Sequence, residues 1–176
     1  MNFDINGIVQ EHMVVEAGID GHIIPALKLQ GAFSYGYYRY ASNPTVTITM
    51  DNSAVVEAEE RVWWKDYKVE GTPQTAASVG LEWSGFRNMW IGVNANYFDA
   101  MYISMSPLNR MDRYHQNLTN EESQMLGSQE KYDPAFFMNA NLSKLWYLNG
   151  NMLGVSFEVK NLLNNQDIKT GGYEYN

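Results

Sequence analysis

No cysteine occurs in the 176 residues. That removes disulfide frameworks, thiolate zinc sites, iron–sulfur clusters and cysteine nucleophiles at once. Charge is also scarce, at 18% of the chain against ~25% in an ordinary soluble domain. Basic residues are the scarcer sign: Lys and Arg number 12 against 20 Asp and Glu, a net charge of −8. A nucleic-acid partner, whose backbone demands a basic face, is therefore not expected. Fourteen Gly and five Pro are too few for a disordered or collagen-like chain. No apolar run approaches the ~18 residues of a membrane-crossing helix. The opening Met1-Asn2-Phe3-Asp4 carries no basic-then-apolar leader pattern, which predicts either a cytoplasmic protein or an internal piece of a longer chain. What the sequence has in quantity is apolar and aromatic residues, 45% and 14%.

These residues recur with a period of two. Ala77, Val79, Leu81 and Trp83 alternate with Ser78, Gly80 and Glu82. Met89, Ile91, Val93, Ala95 and Tyr97 alternate with Trp90, Gly92, Asn94 and Asn96. Phe136, Met138, Ala140 and Leu142 oppose Phe137, Asn139, Asn141 and Ser143; Leu153, Val155, Phe157 and Val159 oppose Gly154, Ser156, Glu158 and Lys160. Two earlier segments alternate less cleanly, with Glu11 and Val14 out of step. The reading is an all-β, antiparallel up-and-down meander of about six long strands, near 6–17, 24–40, 73–84, 88–104, 134–148 and 152–162. No helix and no internal domain boundary is predicted.

The connections alternate between short and long. Gly18-Ile19-Asp20-Gly21, Ser84-Gly85-Phe86-Arg87-Asn88 and Asn149-Gly150-Asn151 read as tight turns, the last containing the strongest short hairpin signal. Between them lie long loops at 41–72 and 105–133. The first has its own alternation, Thr45-Val46-Thr47-Ile48-Thr49-Met50, which predicts a small hairpin.

Alternation buries one face without saying in what. Four features favour lipid over a protein core. The non-apolar face is Ser, Gly, Asn and Gln rather than Lys and Glu. The strands are long enough to cross a bilayer. Aromatics gather near strand ends, as at Tyr35, Tyr37, Tyr40, Tyr97, Phe98, Tyr102, Trp146 and Tyr147. Short turns at one end and long loops at the other are how outer-membrane barrels are built. Val79, Leu81, Ile91, Val93, Leu142, Val155 and Phe157 are the expected lipid-facing set. Six strands do not close a membrane barrel, and an open edge in lipid leaves backbone groups unpaired. The sheet is thus expected to be part of a larger transmembrane β-barrel. A soluble all-β ligand-binding module and a passive porin-like channel are the rival readings.

An ordered series of segments resembles the C-terminal barrel of TonB-dependent outer-membrane receptors of Bacteroidetes type. Gly71-Thr72-Pro73-Gln74-Thr75-Ala76-Ala77-Ser78-Val79-Gly80-Leu81 is similar to a strand opening of that barrel. Asn94-Ala95-Asn96-Tyr97-Phe98-Asp99, Ile103-Ser104-Met105-Ser106-Pro107-Leu108-Asn109-Arg110 and Gln129-Glu130-Lys131-Tyr132 are similar to the next strand, its exit loop and its return. Val159-Lys160-Asn161-Leu162-Leu163-Asn164-Asn165-Gln166-Asp167 resembles a common strand end, followed by Thr170-Gly171-Gly172-Tyr173-Glu174. The resemblance implies a fragment, truncated at both ends, of a plugged barrel of about 22 strands in the outer membrane of a Gram-negative cell. It implies active uptake of a siderophore, glycan or other nutrient. The implied partners are outer-membrane lipid, the rest of the same barrel and its plug, TonB through the missing N-terminal part, and a surface lipoprotein lid of SusD type. No enzyme activity and no cofactor are expected.

The chemistry-bearing residues are read conservatively. His12, His22 and His115 are scattered, and Glu57, Glu59 and Glu60 lack calcium-loop spacing, so no metal site is expected. Glu82, Asp99 and Glu158 occupy lumen-type positions of different strands with no nucleophile beside them. Asn117-Leu118-Thr119 and Asn141-Leu142-Ser143 are formal glycosylation sequons without weight in a bacterium. Trp63, Trp64 and Tyr67 in the first long loop, with Arg110, Arg113 and Tyr114 in the second, are the candidate ligand contacts at the outer mouth.

Overall fold

The computed structural model describes residues 2–49 and 56–169. It is all-β apart from short helices in one loop. Strands β2 (Gln10–Ile24), β3 (Leu27–Tyr40), β6 (Thr75–Phe86), β7 (Met89–Asp99), β8 (Ala135–Leu148) and β9 (Asn151–Val159) form a six-stranded sheet in simple meander order. Every neighbouring pair is antiparallel, and the sheet is not closed. Strands β1 (Asn2–Asn6), β4 (Thr45–Thr49) and β5 (Val56–Arg61) form a second, three-stranded sheet. The predicted hairpin in the first long loop is thus present as β4 and β5, with β1 added to its edge.

The last four long strands fall within a few residues of their predicted limits, although β7 stops at Asp99 rather than running to 104. The first strand is a correction. The segment expected at 6–17 divides at Gly7, whose φ of +83° suits glycine alone, into β1 and β2. The turn expected at Gly18–Gly21 is strand: Gly18 pairs with Ala32 and Gly21 with Leu29. Alternation runs on through Ile19, and the chain reverses only at Pro25-Ala26, where proline's fixed φ and missing N–H suit a turn. The hairpin signal at Asn149-Gly150 is realised with both residues at positive φ, 48° and 83°. Helices are a second correction. A 3-10 turn at Leu108–Arg110 leads into α1 (Asp112–His115) and α2 (Asn120–Gly127). α2 starts at a capping box in which Thr119 and Glu122 bond each other's backbone N–H, a sequence-readable start signal. Residues 170–174 of the resemblance and Met50 of the alternating run lie outside the described residues.

All three tight turns stand at one end of the six-stranded sheet. At the other end β1, β4, β5 and the helical loop fold together into a cap. The buried cluster of the molecule sits there and not on the sheet: Tyr40, Val46, Ile48, Val62, Trp64, Met105 and Met111 pack together. The sheet carries its apolar side chains exposed, Val79 at 50%, Leu81 at 45%, Ile91 and Val93 at 38%. β-residues that alternate in this way are made to be covered on one face, and no element of the described chain covers this one.

Candidate functional site

The register sorts the side chains of the sheet into two faces, because directly paired residues of an antiparallel sheet project to the same side. One continuous row runs Leu27, Trp83, Ile91, Leu142, Phe157, and a parallel row runs Leu29, Leu81, Val93, Ala140, Val159. Val79 pairs with Ala95, and Val155 with Lys144. The seven residues expected on a common lipid-facing surface are therefore on one face of one sheet.

The opposite face is polar. Gln30, Gly80, Asn94 and Asn139 form one row; Glu82, Gly92, Asn141 and Glu158 form the next. Ser143 and Ser156 meet at 2.9 Å. These groups floor a depression of about 400 Å³. Two further depressions open beside it, one lined by Asp20, Gln30, Ser78 and Asn94, the other by Glu16, Ser34, Ser78 and Phe98. Small residues keep the floor open. A Cβ on Gly92 would lie 2.0 Å from the Asn141 amide oxygen, so this glycine lets the Asn141 side chain lie across the strand. Glu82 and Glu158 share this face, whereas Asp99 stands at the cap end of the other one, 2.8 Å from Lys131. The three carboxylates are thus not one cluster, and no group of metal-ligating side chains occurs among the described residues.

The rim between the apolar face and the cap is charged and aromatic. Arg39 bonds Glu11 and Asp66, each at 2.6 Å. Its guanidinium lies 5.4 Å from the Tyr37 ring, and Lys68 places its ammonium 3.4 Å from the same ring. Glu11, out of step in the sequence pattern, is out of step because it faces Arg39 across the strands.

The six candidate ligand contacts divide. Trp64 and Arg110 are buried, at 6% and 5% exposure. Trp64 packs on Tyr40 with ring centres 5.0 Å apart. Arg110 donates to the carbonyls of Ser106 and Ser128 and lies 4.7 Å from the Tyr67 ring. Burial draws its pKa below the ordinary arginine value, opposed by Tyr67. Tyr67 is half-buried and donates its hydroxyl to the Gly127 carbonyl. These three hold the cap together. Trp63, Arg113 and Tyr114 are on its surface. Trp63 donates from its indole N–H to Asp112 at 2.6 Å, with the Arg61 guanidinium 5.9 Å from its ring, and Arg113 pairs with Glu60.

Sequence reasoning used the asparagines after β9 only as part of the resemblance and assigned them no structural role. Asn161 and Asn164 have positive φ, 52° and 50°. The Asn161 side chain bonds both the N–H and the carbonyl of Asn165, at 2.9 and 2.8 Å. Leu162 N–H donates to Met138 O at 2.7 Å, and the Asn165 amide donates to Phe136 O at 2.8 Å. Asparagine tolerates the left-handed conformation and substitutes its side chain for a backbone partner, which was the available signal.

Comparisons with protein-family models, curated proteins and solved structures give no match for this chain.

Proposed function

We propose that this chain is a sector of the transmembrane barrel of a TonB-dependent outer-membrane receptor, serving active uptake of a nutrient such as a siderophore or glycan. One observation carries the reading: six long strands expose a continuous apolar face on one side, present rows of Asn, Gln, Ser, Glu and Gly on the other, and leave the compact core in the cap. A soluble sandwich would place its core on the sheet.

The length of the apolar stripe supports the reading, and the stagger of the turns sets the slant it requires. From Tyr37 to Leu27 the apolar stripe of β3 covers about ten residues, ~34 Å along the strand, or ~24–28 Å at the usual barrel tilt, against an apolar band ~25 Å tall. The row from Leu27 to Leu142 begins beside its turn and ends roughly six residues short of the next one, a stagger of ~20 Å over ~14 Å of sheet. Turns aligned on one membrane boundary then require strands slanted at roughly 55°, steeper than the ~35–45° usual for barrels. In this reading the aromatic rim meets the headgroups, the cap faces outward, and the polar face lines a plugged lumen. The other partners are the rest of the barrel with its plug, TonB, and a SusD-type lipoprotein. No catalytic group is assigned.

The test uses the full-length gene product. It is expected in the outer-membrane fraction, with heat-dependent migration on gels, and without the open conductance of a porin when reconstituted in liposomes. Recovery in the soluble fraction would overturn the membrane reading; large open conductance would replace the receptor by a channel.

A further inference from the structure

The two long loops differ in sequence and are separated by two sheet strands, yet they interlock through side chains and backbone from Glu60 to Lys68 of the first and at Arg110–Arg113 and Gly127–Gln129 of the second. Val62 and Met111 form a bridge pair, and both are fully buried. Trp63 N–H donates to Arg110 O at 3.0 Å, and the Trp63 indole reaches Asp112. The Gln129 side-chain amide takes both backbone groups of Lys68, accepting from its N–H at 2.8 Å and donating to its carbonyl at 2.7 Å. Gly71 N–H donates to Tyr102 O, and Tyr102 bridges to Lys131. The same assembly is fused to β3. Val69 N–H donates to Tyr38 O, Tyr40 N–H to Tyr67 O and Asp66 N–H to Tyr40 O. Buried Gln74 accepts from Tyr38 N–H through its side chain while its backbone carbonyl takes Gly36 N–H.

We propose that the cap is one cooperative unit, welded to the sheet, and acts as a fixed wall rather than a moving gate. The argument is physical. A loop that opens must lose few buried contacts and few internal hydrogen bonds. Opening either loop here exposes Val62 and Met111 together, strips backbone partners from the other loop, and parts the buried Arg110 guanidinium from the Tyr67 ring. Interlocked elements of this kind unfold together. That this wall stands at a barrel mouth rests on the reading above; the weld does not.

Amide hydrogen exchange on the full-length protein, in detergent or nanodiscs, tests it. Amides of 62–71 and of 101–111 are expected to be protected at least about a hundredfold and to share one opening rate. Met111→Ala should speed both segments by the same factor, at least about tenfold, and leave 75–86 and 89–99 unchanged. Gln129→Ala, a milder variant, should speed both by a smaller common factor. Free exchange of 101–111 beside a protected 62–71, or acceleration of one segment alone, would overturn the proposal. Neither outcome depends on whether the sheet lies in lipid, which the fractionation above decides separately.

Discussion

Val93 and Asn94 are adjacent in the chain and belong to different surfaces: Val93 stands in the apolar row between Leu81 and Ala140, Asn94 in the polar row between Gly80 and Asn139. In the proposed barrel, arginine at 93 would place a guanidinium near the bilayer midplane, costing roughly 2–4 kcal/mol, and arginine at 94 would enter a polar lumen at little cost. The chain has no cysteine, so single Cys probes at the two positions report cleanly from this region. A lipid-dissolved nitroxide is expected to quench a label at 93 and spare one at 94. The reverse pattern would invert the two faces, and quenching at neither would remove the lipid.

The isolated 176-residue chain is expected not to run as a soluble monomer. Its uncovered apolar face exceeds the few hundred Å² that soluble surfaces carry, and β2 and β9 offer open edges. Size-exclusion chromatography without detergent checks this. A sharp monomer peak with cooperative thermal unfolding would instead favour a soluble ligand-binding module.

Ile48 is 2% exposed in the cap and Ile91 is 38% exposed on the sheet. Ile48→Ala should cost roughly 2–5 kcal/mol, seen as faster amide exchange throughout 62–71. Ile91→Ala in detergent should cost well under half of that, since it leaves no closed cavity. Equal losses would mean that the sheet hides a core of its own.

The Tyr38 ring lies over Gly36, where an added Cβ would come within 2.2 Å of it. Gly36→Ala must therefore displace the ring from its edge-on contact with His12, whose centre is 5.1 Å away. A loss of about 1 kcal/mol is expected. In a double-mutant cycle, Tyr38→Ala should cost less in the Gly36→Ala background than alone. Additive losses would show that the ring was not in the way.

Glu122 closes the α2 capping box, and the Thr119 backbone N–H holds its carboxyl below the ordinary value of 4.5. A depressed folded pKa gives stability that is present above the unfolded pKa and fades as pH falls through the folded one. Exchange of α2 amides, corrected for intrinsic rates, should therefore rise below about pH 4.5 in the native protein. Glu122→Gln keeps an acceptor but does not titrate, and its corrected exchange should stay level. The same acid response in both proteins would assign it elsewhere.

The sheet was legible because a strand with one apolar and one polar face writes a period of two directly into the chain, as in Met89–Asp99. The cap was not, for three physical reasons. Its core draws single residues from distant segments, such as Ile48, Val62 and Met111, which no local period links. Its aromatic and basic residues look alike in sequence whether they serve packing or a ligand: Trp63 and Trp64 are neighbours, yet one is exposed and the other buried. In the first strand, Gly18 and Gly21 read as a turn because the bland polar face tolerates glycine in mid-strand. Only pairing with Ala32 and Leu29 tells the two uses apart.

The asparagine knot behind β9 sets a limit on lateral growth. Backbone ladders zip one residue at a time, and nothing in a ladder says where to stop. Here the regular ladder from β8 to β9 ends at Val159, and beyond it one backbone bond, Leu162 N–H to Met138 O, stands beside side-chain amides, with the Asn165 amide donating to Phe136 O and its oxygen accepting from Asp167 N–H. An incoming strand finds ordinary partners along Asn151–Val159 and none of the regular kind beyond. A strand added to this edge would have its overlap rationed by a side chain, and with it the slant at which it could lie.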